Sequence, residues 1–350
     1  FYVMSEKQEY SGKPLAYLDH NILDGFLNCQ NHDSDFIESF MQHVQVVYSD
    51  STFQEIHRSG LKKQYYSDNF LELLENLNAL YIKPILNGNF KFTGQMRLTC
   101  GSVFSYYEEY INEITKYDQF LAPLQKNVFA VYGGVKNYDE MAGEQIEAQY
   151  KLLNFLEHQI TALKNDNINH SLADLFVRQK ENELNQMKVN MPEFEVVVRN
   201  NVEHIKQANS KTAAHLAYRN ELKINIDQIN KIEYPNILLK IWNKLQEDNE
   251  SLRDKELNDF LQINNCVHKF EKIHAIYTNL NITGFRPEKK VKNEKKFISA
   301  QTDISHVAYA SYCNYFITND ERLFDKSKVI YEYLEISTQV INIPRFLNQS

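Results

Sequence analysis

Glycine and proline are scarce in this 350-residue chain, at 10 and 7 residues, which excludes a collagen-like or linker protein. Cysteine is scarcer still: Cys29, Cys100, Cys266 and Cys313 lie far apart with no CxxC pair. That pattern argues against a disulfide scaffold and a zinc site, and fits isolated thiols in a reducing, cytoplasmic setting. No run approaches the ~18 consecutive apolar residues of a membrane-spanning helix. No basic start followed by an apolar stretch marks a signal peptide, and Phe1-Tyr2-Val3 ahead of Met4 reads as residual upstream sequence. Several motifs are missing as well. Gly133-Gly134 lacks the spacing and the Lys-Ser/Thr of a phosphate-binding loop, and there is no GxSxG, HExxH or paired Cys/His set. Positive charge is in deficit, with Lys+Arg 38 against Asp+Glu 46 and a net charge of −8. A strongly basic nucleic-acid binder is excluded for the chain as a whole, although a local basic patch remains compatible with one.

Aromatic residues are plentiful, with Tyr 22 and Phe 21, enough for a substantial core. Three zones follow along the chain: 13–60, 61–282 and 283–350. In the first, Leu15-Ala16-Tyr17-Leu18 reads as a buried strand ending in Asp19, and Ile22, Leu23, Phe26 and Leu27 share one face of a following helix. Asp33-Ser34-Asp35 signals the start of a second helix. Val44 to Tyr48 reads as a second buried strand, with Ser49 placed to cap the next helix.

The second zone is mostly helical in pattern, and the near-absence of glycine between Gly143 and Gly284 predicts long unbroken helices such as Val202–Ile226 and Ile237–Phe270. Asn87-Gly88-Asn89 predicts a turn between short extended pieces, and Val128–Tyr132 fits either a strand or a buried helix end. In the third zone a helix is expected to begin near Asp303, then a buried strand Tyr315–Thr318 ending at Asn319-Asp320, a short helix at Leu323-Phe324, and a last strand within Ile336–Ile341. Strands alternating with helices at both ends predict an α/β fold: one parallel sheet interrupted in sequence by a mostly helical insertion.

Ligands of open parallel sheets bind beyond the carboxyl ends of the strands. Asp19 and Asp320 occupy such ends, Asp303 precedes the second of these strands, and Glu55 lies in the helix after the second strand, with Asp50 as an alternative. Carboxylates gathered there repel one another and call for a hard cation, Mg²⁺ or Mn²⁺. His20 and His306 flank the proposed site in sequence and read as packing or surface residues, with a ligand or proton-shuttle role as the alternative. Asp24 reads as solvated, and Tyr106-Tyr107 as core. The basic stretch Arg286, Lys289, Lys290, Lys292, Lys295 and Lys296 reads either as a solvated loop or as a phosphate-contacting segment.

Four segments in order carry a family resemblance: Tyr17-Leu18-Asp19-His20-Asn21; Ser49 to Ile56; Asp303-Ile304-Ser305-His306-Val307-Ala308-Tyr309-Ala310; and Phe316-Ile317-Thr318-Asn319-Asp320. This arrangement resembles the PIN-domain nucleases, and Val340 to Leu347 looks like the closing strand of such a domain. The resemblance covers only 13–60 and 284–347, and the helical middle departs from the family pattern. It implies that Asp19, Glu55, Asp303 and Asp320 bind Mg²⁺ or Mn²⁺, with Asn21 and Thr318 orienting them. It further implies an endoribonuclease, in the setting of a bacterial toxin or defence effector, with RNA as substrate and the insertion serving a regulatory protein or homo-oligomerisation. A DNA nuclease and an inert scaffold that binds a protein partner are the rival expectations.

Overall fold

The computed structural model describes residues 10, 12–29, 34–87, 91–165 and 171–343. The fold is mixed α/β. It contains strands β1 (Leu15–Leu18), β2 (Gln45–Tyr48), β3 (Leu80–Leu86), β4 (Phe92–Thr99), β5 (Tyr315–Thr318) and β6 (Gln339–Asn342). The helices are α1 (His20–Cys29), α2 (Ser34–His43), α3 (Asp50–Gly60), α4 (Gln64–Asn76), α5 (Val103–Val131), α6 (Tyr138–Asn165), α7 (Ser171–Val189), α8 (Met191–Ala208), α9 (Ala214–Glu221), α10 (Ile226–Ile229), α11 (Ile237–Asp248), α12 (Leu257–Phe260), α13 (Lys269–Thr283), α14 (Glu294–Ala310) and α15 (Glu321–Tyr333). No described helix is long and apolar enough to cross a membrane.

The six strands form one sheet in the order β4-β3-β2-β1-β5-β6. All neighbours run parallel except the β3–β4 hairpin. The chain leaves β1 for β2 and β3 on one side and later adds β5 and β6 on the other, so the connection reverses between β1 and β5. A crevice opens at such a switch point.

Two compact units are distinguishable. The first holds residues 1–111, 218–290 and 295–350, including the whole sheet. Its strands alternate between two cores, as the period of two requires. Tyr17, Val47, Ile82 and Phe316 enter the core built with α11, α13, α14 and α15, whereas Ala16, Leu18, Val46, Tyr48, Tyr81 and Ile317 enter the core built with α1, α3 and α4. The second unit, residues 112–217 and 291–294, is helical, with Met141, Ala142, Ile146, Val198 and Val202 buried together and Leu153, Ile160, Leu184 and Met191 forming a second cluster.

These units redraw the expected boundaries. The stretch 61–282 is not one insertion, because 61–111 and 218–282 fold with the sheet. The ambiguous region around Ile85 supplies β3 and β4, with Asn87 Oδ1 accepting from Lys91 N across the turn at 3.0 Å, while Gly88 and Asn89 lie outside the described residues. Val128–Tyr132 is the end of α5 and the turn after it. The expected long helices are broken, and asparagine breaks them where glycine is absent. Asn209 Nδ2 donates to Ile205 O (2.9 Å) at the end of α8, and its Oδ1 accepts from Ala214 N (2.7 Å) at the start of α9. Asn249 Nδ2 likewise donates to Leu245 O (2.9 Å) after α11. The short amide side chain satisfies helix-end backbone groups as a cap does. Gly284 closes α13 in the left-handed region (φ 94°), where an added Cβ would meet Ile226 Cγ1 at 2.9 Å. Cys29's side chain, Asp33 and the expected strand residues from Pro344 to Leu347 lie outside the described residues.

Candidate metal centre

Asp19 follows β1 and keeps the strand's alternation, so it projects to the same side as Tyr17. Its backbone N–H donates to Ile317 O (3.0 Å) on β5, which fixes it at the switch point. Its carboxylate Oδ2 accepts from Thr318 Oγ1 (2.9 Å) and Asn21 Nδ2 (3.1 Å), the two residues expected to orient it. Burial pushes the Asp19 carboxyl up, and Glu55 adds to the rise.

Glu55 reaches this point from α3. Ser49 caps that helix through a capping box with Thr52, and Gln54 Oε1 accepts from Thr302 Oγ1 (2.9 Å) on α14. The cap and the bridge together turn Glu55 toward α14, where Nε2 of the fully buried His306 lies 3.0 Å from Glu55 Oε2. Arg58 Nη2 approaches Oε1 at 3.2 Å and His20 Nδ1 lies 3.8 Å from Oε2. Burial alone would raise the Glu55 carboxyl, but His306, His20 and Arg58 outweigh it and bring it down to about 2. Asp50, the alternative second acid, instead accepts a short hydrogen bond from the Tyr81 hydroxyl.

Behind His306 runs a closed chain of bonds. His306 Nδ1 lies 2.8 Å from the Tyr17 hydroxyl, which lies 2.6 Å from Ser49 Oγ. The Glu55 carboxylate only accepts, so His306 donates through Nε2–H. Its Nδ1 is held by the Tyr17 hydroxyl, which is held in turn by Ser49 Oγ, so the imidazole is fixed at both nitrogens. The helical spacing of Asp303 and His306 puts both on one face, which is the signal in the sequence that makes His306 part of the site.

Asp303 does not begin α14 as expected. It lies in the helix interior, because the helix starts at Glu294, within the basic stretch. Burial raises its carboxyl well above the usual range, and Glu55, Asp19, Glu288 and Asp320 raise it further, in that order. Asp320 caps α15: its Oδ1 accepts from Arg322 N (2.8 Å) and Leu323 N (3.0 Å), and its own N–H donates to Thr318 Oγ1 (3.0 Å). Asp303 is therefore within electrostatic reach of the other three acids read from the sequence and of a fifth, Glu288. Glu288 sits inside the basic stretch and carries no periodic signal that sequence reasoning uses. Of that stretch, Lys289, Lys290, Lys295 and Lys296 are exposed in the first unit, and Lys292 is exposed in the short segment belonging to the second.

The donor set suits a hard divalent ion. Ligand atoms of Asp19, Glu55 and His306 lie within 4.8 Å of one another, two of the three being carboxylate oxygens. Burial first, and neighbouring carboxylates second, raise Asp19 and Asp303, a penalty that a cation would relieve, and His20 Nδ1, buried beside Glu55, has no hydrogen-bond partner. Comparison with protein families, curated proteins and solved structures finds no match to this chain.

Proposed function

We propose that this protein is a metal-dependent nuclease with a PIN-like catalytic fold, acting on RNA. The observation that supports this reading is the cluster of Asp19, Glu55 and His306, whose ligand atoms lie within 4.8 Å of one another beyond the carboxyl end of β1, with Asp303 raised by burial and by its acidic neighbours. Asp19, Glu55, Asp303 and Asp320 would hold Mg²⁺ or Mn²⁺. Bound there, the ion lowers the pKa of a coordinated water and stabilises the charge that builds on a phosphodiester.

The chain's own groups prepare that site. Thr318 and Asn21 hold the Asp19 carboxylate from one side, leaving Oδ1 free of their bonds. His306 fixes the Glu55 carboxylate, and Tyr17 and Ser49 fix His306, so Glu55 loses little freedom on binding a ligand. Asp320 spends Oδ1 on the α15 cap and retains its second oxygen. The exposed lysines 289, 290, 295 and 296, in the same unit, offer charge for a polyanionic backbone.

Incubation of the purified protein with labelled RNA and DNA, in Mn²⁺ and in EDTA, tests the reading. Cleavage of RNA in Mn²⁺ only, abolished by Asp19→Asn and by Asp320→Asn, is the expected result. Cleavage of DNA alone moves the substrate class. Cleavage unchanged by both substitutions removes the site. Expression of the wild type should also slow bacterial growth if the protein acts as a toxin or defence effector.

A further inference from the structure

The turn that joins α3 to α4 exposes a cluster of apolar side chains beside the candidate metal centre. Leu61 is 75% exposed, Tyr65 50% and Tyr66 38%, whereas Phe70, Leu71, Leu73 and Leu74 further along α4 are buried in the sheet's core. The two tyrosine rings lie 4.5 Å apart between centroids, tilted by 40°. Lys63 Nζ stands 5.8 Å from one ring centre and 6.0 Å from the other, and Lys62 beside it is exposed. Between Ile56 and Ser67 the sequence carries Arg58, Lys62 and Lys63 and no acid, in a chain whose net charge is −8. The cluster is rigidly based: α3 ends at Gly60, where an added Cβ would meet Ser67 Oγ at 2.8 Å, so the two helices meet with no side chain between them. Direct contacts lead from it to the centre. Arg58 Nη2 lies 3.2 Å from Glu55 Oε1. The ring of Phe70, one turn after Tyr66, lies 4.5 Å from that of His20, whose Nδ1 is 3.8 Å from Glu55 Oε2. Leu61 follows Glu55 by about 9 Å of helix axis. All of these residues belong to the first unit.

We infer that Tyr65 and Tyr66 form a stacking platform for the unpaired bases of a single-stranded nucleic acid, whose phosphates Lys62 and Lys63 engage. The inference rests on the nuclease reading above for its ligand, and it adds a place outside the metal centre where the strand is held. Charge complementarity selects the occupant. Exposed rings set among cations, with no acid in the same segment, suit a ligand that alternates flat apolar faces with negative charges, and a single strand is such a ligand. A duplex buries its base faces in its own stack and offers the rings nothing. Arg58 is held by Glu55, which leaves Lys62 and Lys63 as the phosphate contacts. The tyrosines touch the bases and take no part in the chemistry at the metal.

Fluorescence anisotropy of the full chain in EDTA, where no cleavage interferes, tests the inference with three labelled probes: an oligouridylate, an abasic strand of the same length, and an RNA duplex. The wild type should bind the oligouridylate more tightly than either of the others. Tyr65→Ala/Tyr66→Ala should weaken oligouridylate binding about tenfold or more and leave the abasic strand unaffected. Tyr65→Phe/Tyr66→Phe, which keeps the rings, should bind like the wild type. Lys62→Gln/Lys63→Gln should lower the slope of log affinity against log salt by about 1.4. Both tyrosines are exposed, so the melting temperature should be unchanged in either pair. A wild type that does not prefer the oligouridylate, an alanine pair with unchanged affinity for it, or an equal loss on the abasic strand would each overturn the inference; the second result would leave the patch to a protein partner. The nuclease reading fails separately: a wild type that binds the oligouridylate through the tyrosines but cleaves no nucleic acid in Mn²⁺ would refute that reading and leave the platform standing.

Discussion

Replacing Tyr17 by phenylalanine removes one oxygen atom from the interior and tests the chain of bonds behind the candidate metal centre. That oxygen lies 2.8 Å from His306 Nδ1 and 2.6 Å from Ser49 Oγ, and Tyr17, Ser49 and His306 are all fully buried. Its loss leaves His306 Nδ1 and Ser49 Oγ each without this hydrogen-bond partner. Each unsatisfied buried group costs about 1–3 kcal/mol. Relief from burying the phenol hydroxyl offsets part of this, so a net loss of about 2–3 kcal/mol is expected. For a protein of this size that is a fall in Tm of roughly 3–4 °C. Trp242, the chain's single tryptophan, lies in the same core as Tyr17 and reports the transition by fluorescence. In EDTA the Tyr17→Phe variant should melt earlier, and its Mn²⁺ affinity should fall by about 10- to 100-fold, the usual effect of losing a group that orients a ligand. Tyr48→Phe is the internal control. Tyr48 belongs to the neighbouring strand and is equally buried, but its hydroxyl has no hydrogen-bond partner. Removing that oxygen should be neutral or stabilising by about 1 kcal/mol. Equal effects of the two substitutions, or a Tyr17→Phe variant with wild-type melting and wild-type Mn²⁺ affinity, would refute the relay.

Three further outcomes follow from the same geometry. The raised carboxyls of Asp303 and Asp19 bind protons more tightly in the folded chain than in the unfolded one, so without metal the protein loses stability as pH rises above about 4. The lowered Glu55 carboxyl acts oppositely, contributing stability that is lost only as pH falls toward about 2. Asp303→Asn should therefore stabilise the metal-free protein by about 1–3 kcal/mol at pH 7.5 and by little at pH 4.5, measured by urea unfolding in EDTA; destabilisation at both pH values would show that Asp303 is not in a repelling cluster. At Asp320 the cap and the charge separate. Asp320→Asn should keep the fold's stability and Asp320→Ala should lose about 1 kcal/mol, while both lose Mn²⁺ affinity by calorimetry. Glu55→Gln should abolish Mn²⁺ binding and Asp50→Asn should leave it near the wild-type value, since Asp50 is turned to Tyr81; the reverse pattern would exchange their roles.

Much of the site was legible because its acids follow local rules. A short, mostly apolar run ending in aspartate at once (Asp19) or two residues on (Asp320) marks a buried parallel strand and its carboxyl end, and this locates both acids without knowledge of the partner strands. Ser49 with Thr52 three residues later is a cap signature, and it sets the helix that carries Glu55. Asp303 was found in the right stretch with the wrong local structure: the lysines that looked like a loop before it include the first turn of α14, where they are exposed on a helix. The extended pieces expected on either side of Asn87-Gly88-Asn89 are β3 and β4, but their place in the sheet was hidden because Leu80–Leu86 contains Lys83 and Pro84 and β4 is half-exposed at the sheet's edge. Helix ends were misplaced because asparagine did the work expected of glycine.

What the sequence determined by itself is the α/β class of the fold and the placement of Asp19 and Asp320 just past strand ends, since period, capping and strand-end position are properties of short segments. What only the tertiary structure decided is their company. His306 and Glu55 are separated by 251 residues, and Lys326 and Glu288 by 38, yet each pair is in contact. Such pairs have no local period to betray them. They exist because a parallel sheet brings β1 beside β5, and because a charge taken out of water must find its counter-charge wherever the packed elements place one.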